Sequence, residues 1–378
     1  NVPPLRFPEF SGEWEEHTLS EYLEFKNGLN PDAKRIGSGL PFISVMDILS
    51  EGVINYDNIR GKVNATEKEI ECFGVKDGDL LFQRSSETLE DVGRANVYMD
   101  NRTAIYGGFV IRGRKIGNYD PLFFKYLLAT PLARKRTCRM GAGAQHFNIG
   151  QEGLSKISLY FPSIEEQRKI AGFLSLIDER IATQNKIIED LKKLKSAIRK
   201  KIFSLLKDEY TKSFEINQLL DYEQPTAYIV ANDEYSTDTR LTPVLTANKG
   251  FILGYTDEKN GIYQKGACII FDDFTMDAKY VSFPFKVKSS AIKILTAKPN
   301  VNLRFMFEYL SHWELKSEEH KRHYISEISP LVIELPSKEK QNIIALLMTS
   351  LNNKLTIEEK AKIRYEVQKG YLLSQMFI

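Results

Sequence analysis

The chain has 378 residues, a length that corresponds to roughly two or three domains. Its 52 Lys and Arg residues nearly balance 50 Asp and Glu residues. The net charge of +2 therefore does not indicate any particular class of binding partner. Apolar residues make up 42% and charged residues 27% of the sequence, as in ordinary globular proteins, which argues against disordered and collagen-like classes.

Cysteine usage and hydropathy indicate the cellular compartment. The three cysteines lie far apart and form no Cys-x-x-Cys pair: Cys72, Cys138 and Cys268. This spacing argues against a disulfide framework and a structural zinc site. The sequence has no apolar run of about 18 residues, and its polar, proline-containing beginning does not resemble a signal peptide. We therefore expect a reduced, cytoplasmic protein.

Residues 1–163 are predicted to form an α/β module. Gly78–Phe82 is a short buried-strand signal that runs into a polar loop. Phe124–Leu127 belongs to a short amphipathic helix. The other runs of β-branched and aromatic residues are broken by Gly, Asn, Asp and Pro, which indicates small twisted sheets with long loops.

A long helix is predicted over residues 164–207. It follows Pro162, with Ser163 as the N-cap and Glu166 completing a capping box. Apolar residues recur at three- and four-residue intervals along one seam, formed by Ile170, Leu174, Ile177, Ile181, Ile188, Leu191 and Ile198. Forty residues at about 1.5 Å each span roughly 60 Å, which is longer than one globular core needs, so we expect a second helix as partner.

Residues 208–335 are predicted to form a second version of the same module. Gly266–Phe271 resembles the earlier buried strand, and Phe307–Leu310 resembles the earlier amphipathic helix. A second long helix is predicted over residues 336–378. The segments LYFPSIEEQRKIAGFL (from Leu159) and IELPSKEKQNIIALLM (from Ile333) align without a gap at an offset of 174. The predicted seam of the second helix is Ile344, Met348, Leu351, Leu355, Tyr365 and Leu372.

Polar residues interrupt both seams at matching positions. Gln184 aligns with Glu358, and Lys195 aligns with Lys369. Either apolar neighbours such as Leu194 and Ile357 take over the seam there, or the polar residues fix the register or contact a third partner.

Basic residues are concentrated at corresponding places in the two modules. Residues 102–139 hold nine Lys and Arg against one acid, and residues 279–304 hold six basic residues and no acid. One such run is usually a solvated face, but two at matching places favour a polyanion, and nucleic acid in particular. The candidate phosphate contacts are Arg112, Arg114, Arg134, Lys135, Arg136, Arg139, Lys286 and Lys288.

Polar loops after the buried strands and before the long helices are candidates for reading bases. In the first module they comprise Gln83, Arg84, Ser85, Ser86, Gln145, His146 and Asn148. In the second they comprise Asp272, Asp273, Thr275, Lys279, Tyr280, Arg322, His323 and Tyr324. Arg suits guanine, Asn and Gln suit adenine, and Asp suits the cytosine amine. Asp272 and Ser85 can equally well do no more than close turns.

Signatures that define an enzyme class are missing from the sequence. It has no phosphate-binding G-x-x-x-x-G-K-[ST], no H-E-x-x-H and no G-x-S-x-G motif. Asp272, Asp277 and Lys279 resemble the acidic-lysine pattern of metal-dependent nucleases, which keeps a stand-alone DNA nuclease as the alternative function. His320 and His323 lie three residues apart, but without a third ligand we favour surface or DNA-proximal histidines, and no metal is predicted.

Two variable modules, each followed by a Pro-Ser-x-Glu-x-Gln segment that opens a long helix, resemble the specificity subunit of Type I restriction-modification enzymes. The resemblance covers the whole chain and is most specific at 162–170 and 336–344. Where the first repeat has Ile164, Glu166, Arg168 and Leu191, the second has Lys338, Lys340, Asn342 and Tyr365. The two helices are therefore not interchangeable, and their subunit contacts can be uneven.

The resemblance implies an α+β fold with two target recognition modules in a pseudo-twofold arrangement, separated by two long helices packed as an antiparallel coiled coil. It implies that each module reads one half of a bipartite, asymmetric DNA site. The helices would space the modules and dock methyltransferase subunits, two in number, with restriction subunits as further partners. The chain would be non-catalytic and need no cofactor, since S-adenosylmethionine, ATP and Mg would belong to partner subunits. A third hypothesis is a scaffold whose basic patches contact proteins rather than DNA.

Overall fold

The computed structural model describes residues 1–143, 145–206, 212–247, 250–313 and 321–378. The chain divides into a first unit, Asn1–Asn185 with Lys360–Ile378, and a second unit, Lys186–Glu359. Each long helix is shared between the units, so this division differs from the predicted module and helix boundaries. The predicted boundary at 207–208 and His320 lie outside the described residues.

The first unit is built mainly from antiparallel strands. Its strands are β1 (Glu15–Thr18), β2 (Leu23–Asn27), β3 (Ile36–Ile43), β4 (Lys62–Val63), β5 (Gly74–Val75), β6 (Leu80–Gln83), β7 (Ser85–Ser86), β8 (Ala95–Val97), β9 (Ala104–Tyr106), β10 (Val110–Lys115), β11 (Phe147–Asn148) and β12 (Ser158–Phe161). Its helices are α1 (Val45–Ile48), α2 (Glu67–Phe73), α3 (Pro121–Leu128), α4 (Pro131–Cys138), α5 (Gln151–Ser155) and the start of α6 (Ile164–Leu206). One sheet has the order β2-β10-β6-β8 and another β4-β3-β9-β5, while β1 pairs with β12 and β7 with β11.

The second unit repeats this plan. Its strands are β13 (Lys212–Glu215), β14 (Leu220–Glu223), β15 (Thr242–Leu245), β16 (Ile252–Thr256), β17 (Cys268–Asp272), β18 (Ala278–Val281), β19 (Lys286–Val287), β20 (Ile292–Ala297) and β21 (Val332–Leu335). Its helices are α7 (Ile216–Leu219), α8 (Leu303–His312) and the start of α9 (Lys338–Gln375). The sheet order β14-β20-β17-β18 matches β2-β10-β6-β8, and β13 pairs with β21 as β1 does with β12. The predicted buried strands and amphipathic helices are confirmed as β6, β17, α3 and α8.

Each unit has a core in which one half of each long helix takes part. In the first unit the start of α6 packs with the end of α9 and with α3 through Ile170, Leu174, Ile177, Leu372, Met376, Phe123 and Phe124. In the second unit the end of α6 packs with the start of α9 and with α8 through Phe203, Leu206, Ile344, Met348, Phe305 and Tyr309. The N-terminal half of each helix thus lies against the C-terminal half of the other, which confirms antiparallel pairing. Every predicted seam residue is buried or half-buried.

Polar residues do occupy the seam where its apolar pattern breaks. Gln184 is buried, whereas the apolar neighbours Leu194 and Ile357 are 49% and 60% exposed. The expectation that these neighbours take over the seam is therefore wrong. In the first unit Lys369 Nζ lies 2.6 Å from Asp178 Oδ1, an ion pair between the two long helices.

Ser163 caps the first long helix, as predicted, and Ser337, which aligns with it at the repeat offset of 174, caps the second. Ser163 Oγ accepts a hydrogen bond from the Glu166 backbone N–H at 3.4 Å, and Ser337 Oγ accepts one from Lys340 at 3.3 Å. The Glu166 carboxylate does not complete the predicted capping box. Arg6 binds both of its oxygens, at 2.8 and 2.7 Å, in a largely buried ion pair.

The junction between α3 and α6 has its counterpart between α8 and α9, with donor and acceptor exchanged. Tyr126 Oη donates to Asp178 Oδ2 at 2.8 Å, whereas Asn352 Nδ2 donates to Glu308 Oε1 at 3.3 Å. Tyr126 and Glu308 each come six residues after the N-cap of their helix, and Asp178 and Asn352 align at the repeat offset of 174. The modules are therefore anchored to the long helices at the same point by different chemistry.

Candidate nucleic-acid interface

In the first unit, two polar loops that are distant in sequence lie side by side. Residues 83–86 and 145–148 form what we call the first loop pair. Strands β7 and β11 pair antiparallel within it, and Ser85 Oγ donates to Asn148 Oδ1 at 2.5 Å. The backbone of Arg84 joins the same arrangement, because its carbonyl accepts from the Ile149 N–H at 3.0 Å. The structure thus brings together two groups of predicted base-reading residues.

The second unit contains the corresponding arrangement. Residues 272–275 and 321–324 form the second loop pair, in which the Asp273 carbonyl accepts from the His323 N–H at 2.9 Å. The two loop pairs occupy the same position in the fold. The Arg84 N–H donates to the Phe109 carbonyl at 2.9 Å, and the Asp273 N–H donates to the Ala291 carbonyl at 2.8 Å. In each module the contact joins the residue that directly follows a central buried strand to the residue that directly precedes the neighbouring strand.

In the first loop pair, six of the seven predicted readers are exposed or half-buried. Gln145, His146 and Asn148 are exposed, and Arg84, Ser85 and Ser86 are half-buried. Gln83 is a correction, because its side chain is buried and its Nε2 donates to the Ser85 carbonyl at 2.9 Å. Gln83 therefore supports the loop and is not available to a base.

The second loop pair buries more of its predicted readers. Asp272 closes a turn, since its Oδ1 accepts from the Phe274 and Thr275 N–H groups, both at 2.9 Å. The buried Asp273 carboxylate lies 3.2 Å from Lys293 Nζ and accepts from the Tyr324 N–H at 2.8 Å. These carboxylates organise the loop, which corrects the prediction that they read bases.

Two further predictions in this loop pair are corrected, because the His323 and Tyr324 side chains are buried. The His323 ring lies 2.8 Å from the Glu327 carboxylate, and the Tyr324 ring packs against Phe271. Of the predicted readers in this module, Thr275 and Arg322 are exposed, and Lys279 and Tyr280 are half-buried.

Three of the predicted phosphate contacts are exposed. They are Lys135, Arg139 and Lys288. Within the described ranges, no ion pair connects any of the three to a carboxylate, so their charges face solvent. Lys135 lies on α4 and Arg139 directly follows it.

The other predicted phosphate contacts hold the modules together. Arg112 Nη1 donates to the Gly74 carbonyl at 2.8 Å, Arg114 Nη2 to the same carbonyl at 2.6 Å, and Lys286 Nζ to Glu258 at 2.6 Å. Burial lowers the pKa of Arg114 from its ordinary value. Arg134 donates to the carbonyls of Glu90 and Val92, and Arg136 donates to Glu16. Arg112 and Lys286 are buried, so their assignment as phosphate contacts is corrected.

The residues of the alternative nuclease do not form a metal site in the described part of the chain. Asp272 is engaged by the turn, and the exposed Asp277 carboxylate accepts from Thr275 Oγ1 at 3.2 Å. The described residues contain no group of three His, Cys, Asp or Glu side chains that could hold a metal ion. The nuclease alternative therefore gains no support from this geometry.

An apolar surface next to Arg84 was not predicted from the sequence. Phe109, Met46 and Ile36 are large, exposed and close to the first loop pair. The one signal in the sequence is the Gly107-Gly108-Phe109 turn, which interrupts two strand-like runs.

The family model for the Type I restriction modification DNA specificity domain matches residues 11–193 and again residues 208–367. Together with the repeated module and its paired polar loops, this match defines a DNA-recognition protein. The chain belongs to the Type I restriction-modification DNA specificity family. Within the ranges described, no helix is both long enough and apolar enough to cross a membrane.

Named relatives and solved structures agree with this family. The chain is 39% identical over 178 residues to the EcoR124I/EcoR124II specificity subunit of Escherichia coli, a match that covers 42% of this chain and only 43% of that subunit. It is 23% identical over 410 positions to the putative MjaX specificity subunit of Methanocaldococcus jannaschii, covering 99% and 95% of the two chains. The fold is similar to the S subunit from M. genitalium, with a TM-score of 0.67 at 16% identity over 100% of this chain and 99% of that one.

Proposed function

We propose that each module reads one half of a bipartite, asymmetric DNA site. The observation that carries this proposal is the presence of a polar loop pair at the same position in both modules. The loops present different side chains, with Arg84 and Asn148 in the first and Thr275 and Arg322 in the second. Arg suits guanine and Asn suits adenine in the major groove, so different side chains select different half-sites.

We propose that Lys135, Arg139 and Lys288 contact the phosphate backbone. Their charges are exposed and are not neutralised by carboxylates of the described residues. Such contacts raise affinity for every sequence, because each neutralised phosphate releases a condensed counterion. They position the modules without contributing to the choice of bases.

The paired helices act as a spacer in this proposal. α6 has 43 residues and α9 has 38, and both run without interruption. At about 1.5 Å per residue each spans roughly 60 Å. Rigid spacing between two reading modules fixes the number of unread base pairs, as subunit spacing does in dimeric repressors.

The long helices also offer surfaces for partner subunits. The large exposed apolar residues on α9 are Ile343, Leu346, Leu347 and Ile357 in the second unit and Ile363, Val367 and Tyr371 in the first. Solvent-facing helix positions are normally polar, so such residues are typical of interaction sites. We propose that methyltransferase subunits, two in number, dock on the helices, with restriction subunits as further partners. Catalysis and its cofactors then belong to those subunits, and the assembly acts in the cytoplasm.

Selection of random duplexes by the full chain with its methyltransferase subunits tests DNA reading. We expect a split, asymmetric site with an unread gap. Arg84→Ala should relax one half-site and Arg322→Ala the other. Arg102→Ala is the control, because Asp57 and Asp100 already bind its guanidinium. If the chain alone cleaves DNA with Mg²⁺ and Lys279→Ala abolishes that cleavage, the nuclease is favoured. If the complex protects no DNA, the protein scaffold is favoured.

Shortening the helices tests the spacer. Removing four residues from each long helix shortens the pair by about 6 Å, or about two base pairs of duplex. The tolerated gap in the selected sites should shrink accordingly. An unchanged gap, with both half-sites still selected, would contradict the spacer while leaving base reading intact.

A further inference from the structure

An apolar cavity of about 410 Å³ opens in the first unit beside the first loop pair. Residues 29–31, 42–46 and 107–110 line it together with Ile36. Three large apolar side chains of this lining are strongly exposed: Ile36 at 53%, Met46 at 75% and Phe109 at 68%. We call it the Phe109 cavity. Exposed apolar surface of this kind marks a contact site for another molecule.

The Phe109 cavity is continuous with the proposed base-reading surface. The Arg84 N–H donates to the Phe109 carbonyl at 2.9 Å, and Arg84 Nη1 donates to the Gly108 carbonyl at 3.3 Å. A cation suited to guanine therefore lies against the backbone of the turn that carries Phe109, at the rim of an apolar cavity. A duplex bound at Arg84 must pass close to Phe109.

The backbone that carries Phe109 is held tightly. A Cβ on Gly28 would lie 2.1 Å from the Gly107 carbonyl oxygen, which is a backbone atom, so only glycine allows this close approach. The Gly107 N–H also donates to the Ile43 carbonyl at 3.0 Å. The turn therefore presents Phe109 from a fixed backbone, which reduces the entropy lost on binding.

We propose that Phe109 and its cavity receive the C5-methyl group of a thymine in the half-site read by the first module. This inference rests on the proposed function and adds a specificity-determining residue to it. The thymine methyl is the apolar group that base pairs present in the major groove. A whole extruded base does not fit this chemistry, because its polar edge would be left unpaired against an apolar lining.

The second module lacks this feature at the matching position. Ala291 accepts the hydrogen bond from Asp273 that Phe109 accepts from Arg84. An alanine side chain offers a single methyl group in place of an aromatic ring. The thymine contact is therefore specific to the first module, and only one half-site should depend on it.

Replacing each thymine of the selected site by uracil tests the proposal, with affinity of the full complex as readout. One of these replacements should weaken binding about fourfold, because that factor corresponds to the loss of one buried methyl group. It should lie in the half-site whose preference Arg84→Ala relaxes. Phe109→Ala should bind the thymine and uracil duplexes equally. Ile116→Ala is the matched control, since Ile116 is 59% exposed at the opposite end of β10. It should keep the fourfold difference.

The outcomes separate this inference from the proposed function. If no sequence is selected, the proposed function fails. A bipartite site can be selected while every uracil duplex binds with the affinity of the thymine duplex, or while the half-site read by the first module contains no T·A pair. In either case the thymine contact is wrong, and the proposed reading of bases stands. Loss of DNA bending in Phe109→Ala without any uracil effect would also overturn the contact, because it would make Phe109 a wedge between base steps.

Discussion

Gln167 and Gln341 make the same two hydrogen bonds, one set in each unit. Gln167 Oε1 accepts from the Asp120 N–H at 3.1 Å and its Nε2 donates to the Pro162 carbonyl at 3.0 Å. Gln341 does the same with Asn302 at 2.8 Å and Pro336 at 2.9 Å. The repeated Gln thus ties the start of each long helix to the N-cap of the preceding module helix.

Removing either amide should destabilise the protein. Gln167→Ala and Gln341→Ala each leave a backbone N–H and a carbonyl without their partner, which costs about 1–3 kcal/mol. Urea unfolding measures the loss. Gln368→Ala is the control, because Gln368 is exposed on α9. If all three variants unfold at the same urea concentration, the amides do not stabilise the junctions.

The hydrogen-bond donor and acceptor are exchanged between the α3–α6 and α8–α9 junctions. Two similar substitutions at these junctions should therefore have unequal effects on stability. Asn352→Asp places a second carboxylate against Glu308, which is buried and accepts from Arg199 at 2.7 Å. Asp178→Asn keeps an acceptor for Tyr126 and removes a charge that faces Lys369, in a partly exposed ion pair, and Lys125. Thermal unfolding should therefore show the larger loss for Asn352→Asp. Equal losses would mean that Arg199 and its neighbours absorb the added charge.

Lys125 predicts a specific pH dependence. The pKa of Lys125 is lowered from an ordinary value of 10.5 to about 8, mainly because the side chain is buried. The nearby Asp178 carboxylate raises this pKa, and the Lys369 ammonium lowers it. Between these two values the unfolded chain binds more protons than the folded protein, so stability rises with pH. Lys125→Met should melt at a higher temperature than the unchanged protein at pH 7, with the difference shrinking from pH 8 to 10.5. Parallel pH profiles would contradict this, and the exposed Lys156→Met serves as control.

Exposed and buried cations should affect DNA binding differently. Arg139→Ala should reduce the slope of log affinity against log salt by about 0.9, as expected for one lost phosphate contact. Lys286→Ala should leave that slope unchanged and lower the unfolding temperature, because Lys286 is buried and bonded to Glu258 and the Asn260 carbonyl. Salt titration of binding and thermal unfolding distinguish the two. A reduced slope in Lys286→Ala would place its charge at the DNA.

The sequence predicted those features that repeat with a fixed spacing. The ungapped alignment located Ser163 and Ser337 at the starts of the helices, because a cap and its apolar period are local signals. Ser85 and Asn148 were both predicted to lie in base-reading loops, but the contact between them was not predicted, because the two loops are distant in sequence. The Gln167 bridge was not predicted, because its partner Asp120 is distant in sequence.

The direction of charged side chains could not be predicted from their number. Arg112 and Lys286 lie in basic segments, yet both point inward and bind backbone carbonyls or a carboxylate. A count of charges along the chain does not distinguish these from the exposed Arg139. Phe109 was missed for the opposite reason, since an apolar residue near two strands is normally assigned to the core.

Trp14 and Phe377 pack edge to face in the first unit, with ring centroids 6.2 Å apart. Their contact joins residues that the ribosome makes far apart in time, since the second unit, residues 186–359, is synthesised between them. At about 5–20 residues per second, those residues take roughly 9–35 s. Throughout that interval the first module lacks Leu372, Met376 and Phe377 from its core, so the apolar surface that they cover stays exposed on the nascent chain until the end of α9 is made.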